Sequence, residues 1–108
     1  MTHETREVSL RARDLVDQGW CKNDYKVEIA GSWRYCVVAA IHTADDRSCT
    51  HTNEIVRLAC KHLSIPVSPT SLGSWNDRPY RTQAEVVALL EAVASQSDPL
   101  AGWREIEV

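Results

Sequence analysis

The sequence predicts a mostly α fold: a small single domain over residues 1–108, with about four helices and a short β-hairpin between the first and the second. Three observations carry that expectation. Apolar residues recur at helical spacing in well-separated stretches. One short alternating run, interrupted by Ala30-Gly31-Ser32, lies between the first two of them. A length of 108 residues, with 44% hydrophobic and 25% charged residues, suits one globular unit with its own core. Residues 1–4 and 100–108 are expected to fray.

The first helix runs from about Glu4 to Gln18, with Val8, Ala12, Leu15 and Val16 on one face and Arg6, Glu7, Arg11, Arg13, Asp14 and Asp17 on the other. Gly19 follows as a left-handed C-cap, and Trp20 and Cys21 fold back onto the apolar face. Tyr25, Val27 and Ile29 alternate with Lys26 and Glu28, and Trp33-Arg34-Tyr35 resumes the pattern after the break. This is a hairpin that must pack on helices, because an isolated two-stranded ribbon is marginal in water. Residues Cys36 to Ala44 are short, apolar and rich in alanine, which favours a buried helix over a strand. Asp45-Asp46-Arg47-Ser48 makes a polar turn.

A third helix extends from Thr50 or Thr52 to Leu63, with Ile55, Val56, Ala59, Cys60 and Leu63 inward. From Ser64 to Gly73, Pro66 and Pro69 predict an extended connector anchored by Ile65, Val67 and Leu72. The last helix, Gln83 to about Ser95, turns Val86, Leu89, Leu90 and Val93 inward and stops before Asp98-Pro99. Trp103, Ile106 and Val108 give the tail enough apolar surface to dock.

The densest cluster is Trp75, Asn76, Asp77, Arg78, Arg81, Thr82 and Glu85. Thr82 and Glu85 form a capping box, in which the hydroxyl accepts the amide of the third helical residue and the carboxylate reaches back to the cap amide. Ahead of the box, Asn76 and Asp77 can bond the backbone through their side chains, and Arg78 or Arg81 can pair with Asp77 or Glu85. The cluster is therefore read as a structural lock or a binding loop. It requires a largely buried Trp75, an Asp77 bonded to amides or an arginine, and a Thr82 that caps the last helix.

Other chemistry is limited by spacing. Cys49-Thr50-His51 and Cys60-Lys61-His62 both read Cys-x-His, but positions two apart on a helix diverge by ~200°, so neither pair can share an ion, and no metal site is expected. Cys36 opens a helix, where the macrodipole favours a thiolate, but His42 lies roughly 240° around that helix. A Cys-dependent enzyme would thus take Cys36 as nucleophile with His51 or His62 from the third helix. A pocket lined by Trp20, Trp33 and Trp75 is the corresponding small-molecule reading. No Gly-rich phosphate loop is present and no cofactor is expected.

The formal net charge is −3, with Glu85, Glu91, Asp98, Glu105 and Glu107 facing only Arg104 after the capping box. No cationic stripe is available for nucleic acid, and no apolar run is long enough for a membrane span or a leader. A cytoplasmic setting follows, with Cys21, Cys36, Cys49 and Cys60 as thiols. These exclusions favour a non-catalytic protein that works by binding another protein. The alternative is a Cys-dependent enzyme or small-molecule-binding domain using Cys36 and the Trp75–Arg81 loop.

Gly19-Trp20-Cys21, Cys36 with Ala39-Ala40-Ile41 and Ala44, and above all Trp75-Asn76-Asp77-x-x-x-Arg81-Thr82-x-x-Glu85-Val86 with Leu89-Leu90 carry a resemblance. The chain resembles a family of small, functionally uncharacterised bacterial and phage proteins found largely in actinobacteria. It departs in having alanine, at Ala39 or Ala40, where a glycine is expected after the cysteine. The resemblance implies a fold-sized unit and a phage or bacterial setting, and hence a phage- or mobile-element accessory that binds a host protein.

Overall fold

The computed structural model describes residues 3–45 and 49–96. Within them the order is α1 (His3–Gln18), β1 (Lys26–Ile29), β2 (Ser32–Tyr35), α2 (Val37–Ala44), α3 (Cys49–Leu63), α4 (Pro69–Asn76) and α5 (Gln83–Gln96). The chain is mostly helical, with the antiparallel hairpin between the first two helices. The side chains of Cys49 and Thr50, most of the turn at 45–48, the Asp98-Pro99 stop and the tail with Trp103 lie outside the described residues.

Among the described residues there are five helices, not four. The addition is α4, inside and beyond what reads as an extended connector. Pro69 does not block it, because the first turn of a helix has no use for that N–H; Pro69 opens the helix and Ser68 caps it, its hydroxyl accepting from Ser71 N–H at 3.0 Å. Leu72 is fully buried, whereas Val67 is 56% exposed and anchors nothing. Trp75 and Asn76 thus end a helix rather than sit in a loop.

Helix α1 is the element against which α5 and α2 pack most extensively. Its Val8, Ala12 and Val16 meet Ile41, Ile55, Leu90 and Val93 in one core. Full burial of such side chains stabilises the fold by about 1.5–3 kcal/mol each. Two polar links cross the same interface. Ser9 is buried and its hydroxyl donates to Leu90 O at 2.8 Å, and Gln83 Nε2 donates to Val16 O at 2.7 Å and Asp17 O at 3.2 Å, satisfying carbonyls left open at the end of α1.

Gly19 is not a left-handed cap. Among the described residues the positive-φ glycine is Gly31, and Gly19 is required for another reason: a Cβ there would lie 2.7 Å from Trp33 O. The bare backbone lets the chain after α1 run beside β2, with Tyr35 N–H donating to Gly19 O at 3.0 Å and Cys21 N–H to Tyr35 O at 3.1 Å. The hairpin turn places Ala30 at φ 52° and Gly31 at φ 82°, both left-handed, between Ile29 and Ser32. Only the base of the ribbon packs on helices: Tyr35 is half-buried against the core, while Ile29 and Trp33 are 49% and 47% exposed.

Candidate functional site

The cluster expected at Trp75–Glu85 resolves into two hydrogen-bonded units. The first centres on Asn76, which is fully buried at the end of α4. Its Oδ1 accepts from Trp20 Nε1 at 2.8 Å and from Val37 N–H at 3.0 Å; its Nδ2 donates to Cys21 O at 3.1 Å and to Asp77 Oδ1 at 3.0 Å. All four bonds that a primary amide can make are used. One side chain thereby joins the exit of α1, the first amide of α2 and the end of α4. Asp77 Oδ1 also accepts from Asn23 N–H at 2.9 Å, Asn23 having the left-handed φ of 63° that asparagine tolerates. Lys22 Nζ donates to Pro79 O at 2.9 Å and closes the unit.

The second unit is the start of α5. Thr82 Oγ1 accepts from Glu85 N–H at 3.3 Å and Glu85 Oε1 accepts from Thr82 N–H at 3.0 Å, the reciprocal pair of a capping box. Arg81 bridges the units. Its Nε donates to Trp75 O at 2.9 Å, its NH1 to Glu85 Oε2 at 2.9 Å, and its guanidinium lies 4.0 Å from the centre of the Trp75 ring. Trp75 is partly buried against the core, and Arg81 covers its ring. Arg78 is exposed, and its carbonyl accepts from Arg81 N–H. The Glu85 carboxyl is held below the usual carboxylate range, first by the Thr82 amide, then by the Thr82 hydroxyl and Arg81.

Cys36 is the N-cap of α2. Its Sγ accepts from Ala39 N–H at 3.4 Å, and the residue is 6% exposed. Burial pushes its thiol up, against a partial pull from the amides of Ala39 and Val38. Cys21 is pushed up to about 11, by burial first and then by Cys36, Asp24 and Asp77 nearby. The two histidines considered as partners for Cys36 are engaged elsewhere: His51 Nδ1 is 3.0 Å from Thr5 Oγ1 with Glu4 at 3.6 Å, and His62 Nδ1 is 3.1 Å from Gln96 Nε2. Among the described residues no three His, Cys, Asp or Glu side chains gather as a metal ion would need, Cys21, Cys36 and Cys60 are free thiols, and no helix is long and apolar enough to cross a membrane.

A cleft of about 350 Å³ opens between the α1–β1 connection and α4. Asp24, Tyr25 and Asp77 stand at its walls, with Cys36, Val38 and Pro69 among its apolar surface. Sequence reasoning found Cys36 and Asp77 but missed Asn23, and it read Asp24 and Tyr25 as the start of the alternating hairpin run, whereas β1 begins at Lys26. Trp20 packs against the core that includes the apolar face of α1, and its indole N–H is spent on Asn76, a partner 56 residues away. The signal that could have linked them is chemical: a buried indole needs an acceptor, and Asn76 stands in the densest polar cluster.

The fold and the site together define a small helical domain whose α1 exit, hairpin base and α4 end are tied by one buried amide beside an acidic, aromatic cleft. The chain belongs to a family of unknown function, DUF6197, whose family model matches residues 1–96. No curated protein and no solved structure matches it significantly.

Proposed function

We propose that the protein works without catalysis, by binding another protein, and that it serves in the cytoplasm as a phage- or mobile-element accessory directed at a host protein. The observation that carries the binding reading is the hairpin. Trp33 and Ile29 stand on opposite faces of a ribbon that has little core beneath either face, at 47% and 49% exposure. Lys26 Nζ rests 4.9 Å from the Trp33 ring centre, a diagonal cross-strand contact that holds the indole up. A half-exposed tryptophan with a charged rim is the kind of anchor that interfaces favour. Tyr80, 68% exposed, is a further aromatic ring open to a partner.

Cysteine chemistry is the weaker reading. A nucleophilic thiol needs a lowered pKa and a base, and the Cys36 thiol is pushed up while His51 and His62 bond other groups. Iodoacetamide should therefore label Cys21 and Cys36 more slowly than free cysteine at pH 8; at a thiol pKa of about 11, the Cys21 thiolate fraction is roughly a hundredfold lower. Rapid labelling of Cys36 would revive the enzyme reading.

The binding reading is tested by affinity capture with the tagged full chain from host cells, comparing wild type with Trp33→Ser, Ile29→Ser and Tyr80→Ser. The expected outcome is a specific partner retained by wild type and lost from the Trp33 and Ile29 variants, all four proteins having closely similar thermal melts. A partner retained equally by every variant, or none retained by wild type, overturns it.

A further inference from the structure

The cleft beside Asn76 has a chemistry that the binding reading does not use. Two of its wall residues are carboxylates, Asp24 and Asp77, and none of the residues lining it is a lysine or arginine. The nearest cations in sequence are turned away: Lys22 Nζ is bonded to Pro79 O, and Lys26 Nζ lies on the Trp33 ring. Asp77 is fixed through Oδ1 by Asn23 N–H and Asn76 Nδ2, and its other oxygen has no protein partner among the described residues. Asp24 likewise has no side-chain partner there. Tyr25 lines the same cleft, 49% exposed, and its ring meets His42 edge-on at 6.1 Å. The apolar part of the lining is Val38, Pro69 and the buried Cys36, whose S–H has no acceptor among the described residues.

Unneutralised carboxylates in one cleft with an aromatic ring and an apolar lining match one kind of group. A cation there gains Coulomb energy from both acids and attraction from the tyrosine ring, while a short hydrocarbon stem is removed from water against Val38 and Pro69. An anion would meet two like charges, and a neutral apolar molecule would leave both acids without a counter-charge. From the cleft's lining we infer that it binds a positively charged nitrogen group, an alkylammonium or guanidinium, carried on a short apolar stem. The source is a free small amine or a lysine or arginine side chain of a partner protein, and the chemistry of recognition is the same for both.

The test is a titration of the isotopically labelled full chain, followed by backbone amide NMR, with butylammonium and butylguanidinium, with 1-butanol as the neutral control, and with a Gly-Lys-Gly peptide blocked at both ends. The expected result is saturable shifts at Asn23–Tyr25, Cys36–Val38 and Asp77 with the cations, and binding at least about fivefold weaker for butanol. Asp24→Asn should weaken cation binding about three- to fivefold and leave the melt unchanged. Asp77→Asn keeps an acceptor for Asn23 N–H and should weaken it comparably. Tighter binding of the peptide than of butylammonium assigns the cation to a partner's side chain, and the reverse assigns it to a free amine. No saturable shift with any cation, equal binding of butanol, or unchanged affinity in both aspartate variants overturns the inference. None of these outcomes depends on partner capture through the hairpin.

Discussion

Asn76 is the residue whose replacement has the largest expected effect. Asn76→Ala removes an acceptor from two donors, the Trp20 indole and the Val37 amide, and a donor from Cys21 O, at a fully buried position. Stranding two or more buried polar groups costs about 3–5 kcal/mol, and urea denaturation should show it as a lower midpoint at an unchanged slope. Asn76→Asp, nearly the same shape, should recover little, since a carboxylate cannot donate to Cys21 O and would face Asp77. Gly19→Ala is expected to cost about 1–3 kcal/mol, because the added methyl meets Trp33 O and the backbone must move. Asn76 and Asp77 were legible as a polar knot. Their partners were not, because each of the three long-range bonds to Asn76 spans between 39 and 56 residues, and local pattern carries no information at that range.

At the scale of elements, periodicity was a sufficient guide wherever a helix has one wet face. Val8, Ala12 and Val16 in α1, and Val86, Leu89, Leu90 and Val93 in α5, are buried as their spacing requires. It failed at α4, where two prolines read as breakers although one of them stands where a helix begins. Ser68 followed by Pro69 was the available signal. The capping box at α5 gives a pH-dependent prediction. Because Glu85 has a folded-state pKa below its ordinary value, its contribution is present above the carboxylate range and is lost as pH falls through the lowered value. The thermal melts of wild type and Glu85→Gln should therefore differ at pH 7 and converge as the pH falls below the carboxylate range. Thr82→Ala should cost about 1 kcal/mol at pH 7. In the hairpin, Ala30 occupies a left-handed position that glycine holds without strain, so Ala30→Gly should raise stability by about 0.5–1 kcal/mol in the same denaturation assay.

For the molecule as a whole, the raised Cys21 thiol makes stability fall at alkaline pH. Cys21 keeps its proton in the folded state up to about pH 11, whereas the unfolded chain releases it near the ordinary value of 9.0. Folding stability is thus full below that ordinary value and falls as pH rises toward 11. Cys21→Ala should flatten the decline between pH 8 and pH 10.5, measured by urea midpoint under reducing conditions. The mostly helical character and the placement of the hairpin were legible because composition and periodicity report them. That only the hairpin base packs on helices was not, since Trp33 and Ile29 have the same side chains whether a core covers them or not.

The buried amide of Asn76 also bears on the order of events when the chain folds. Its three distant bonds need the exit of α1, the start of α2 and the end of α4 to have converged, a set of loop closures that a folding nucleus built from adjacent helices need not yet have completed. Asn76 should therefore behave as a latch set after the rate-limiting step, with a φ-value near zero. In stopped-flow chevrons Asn76→Ala should steepen escape from the native state, raising the unfolding rate by most of the lost stability and leaving the refolding limb nearly where it was. The lifetime of the folded state, more than the speed of reaching it, would then rest on one asparagine.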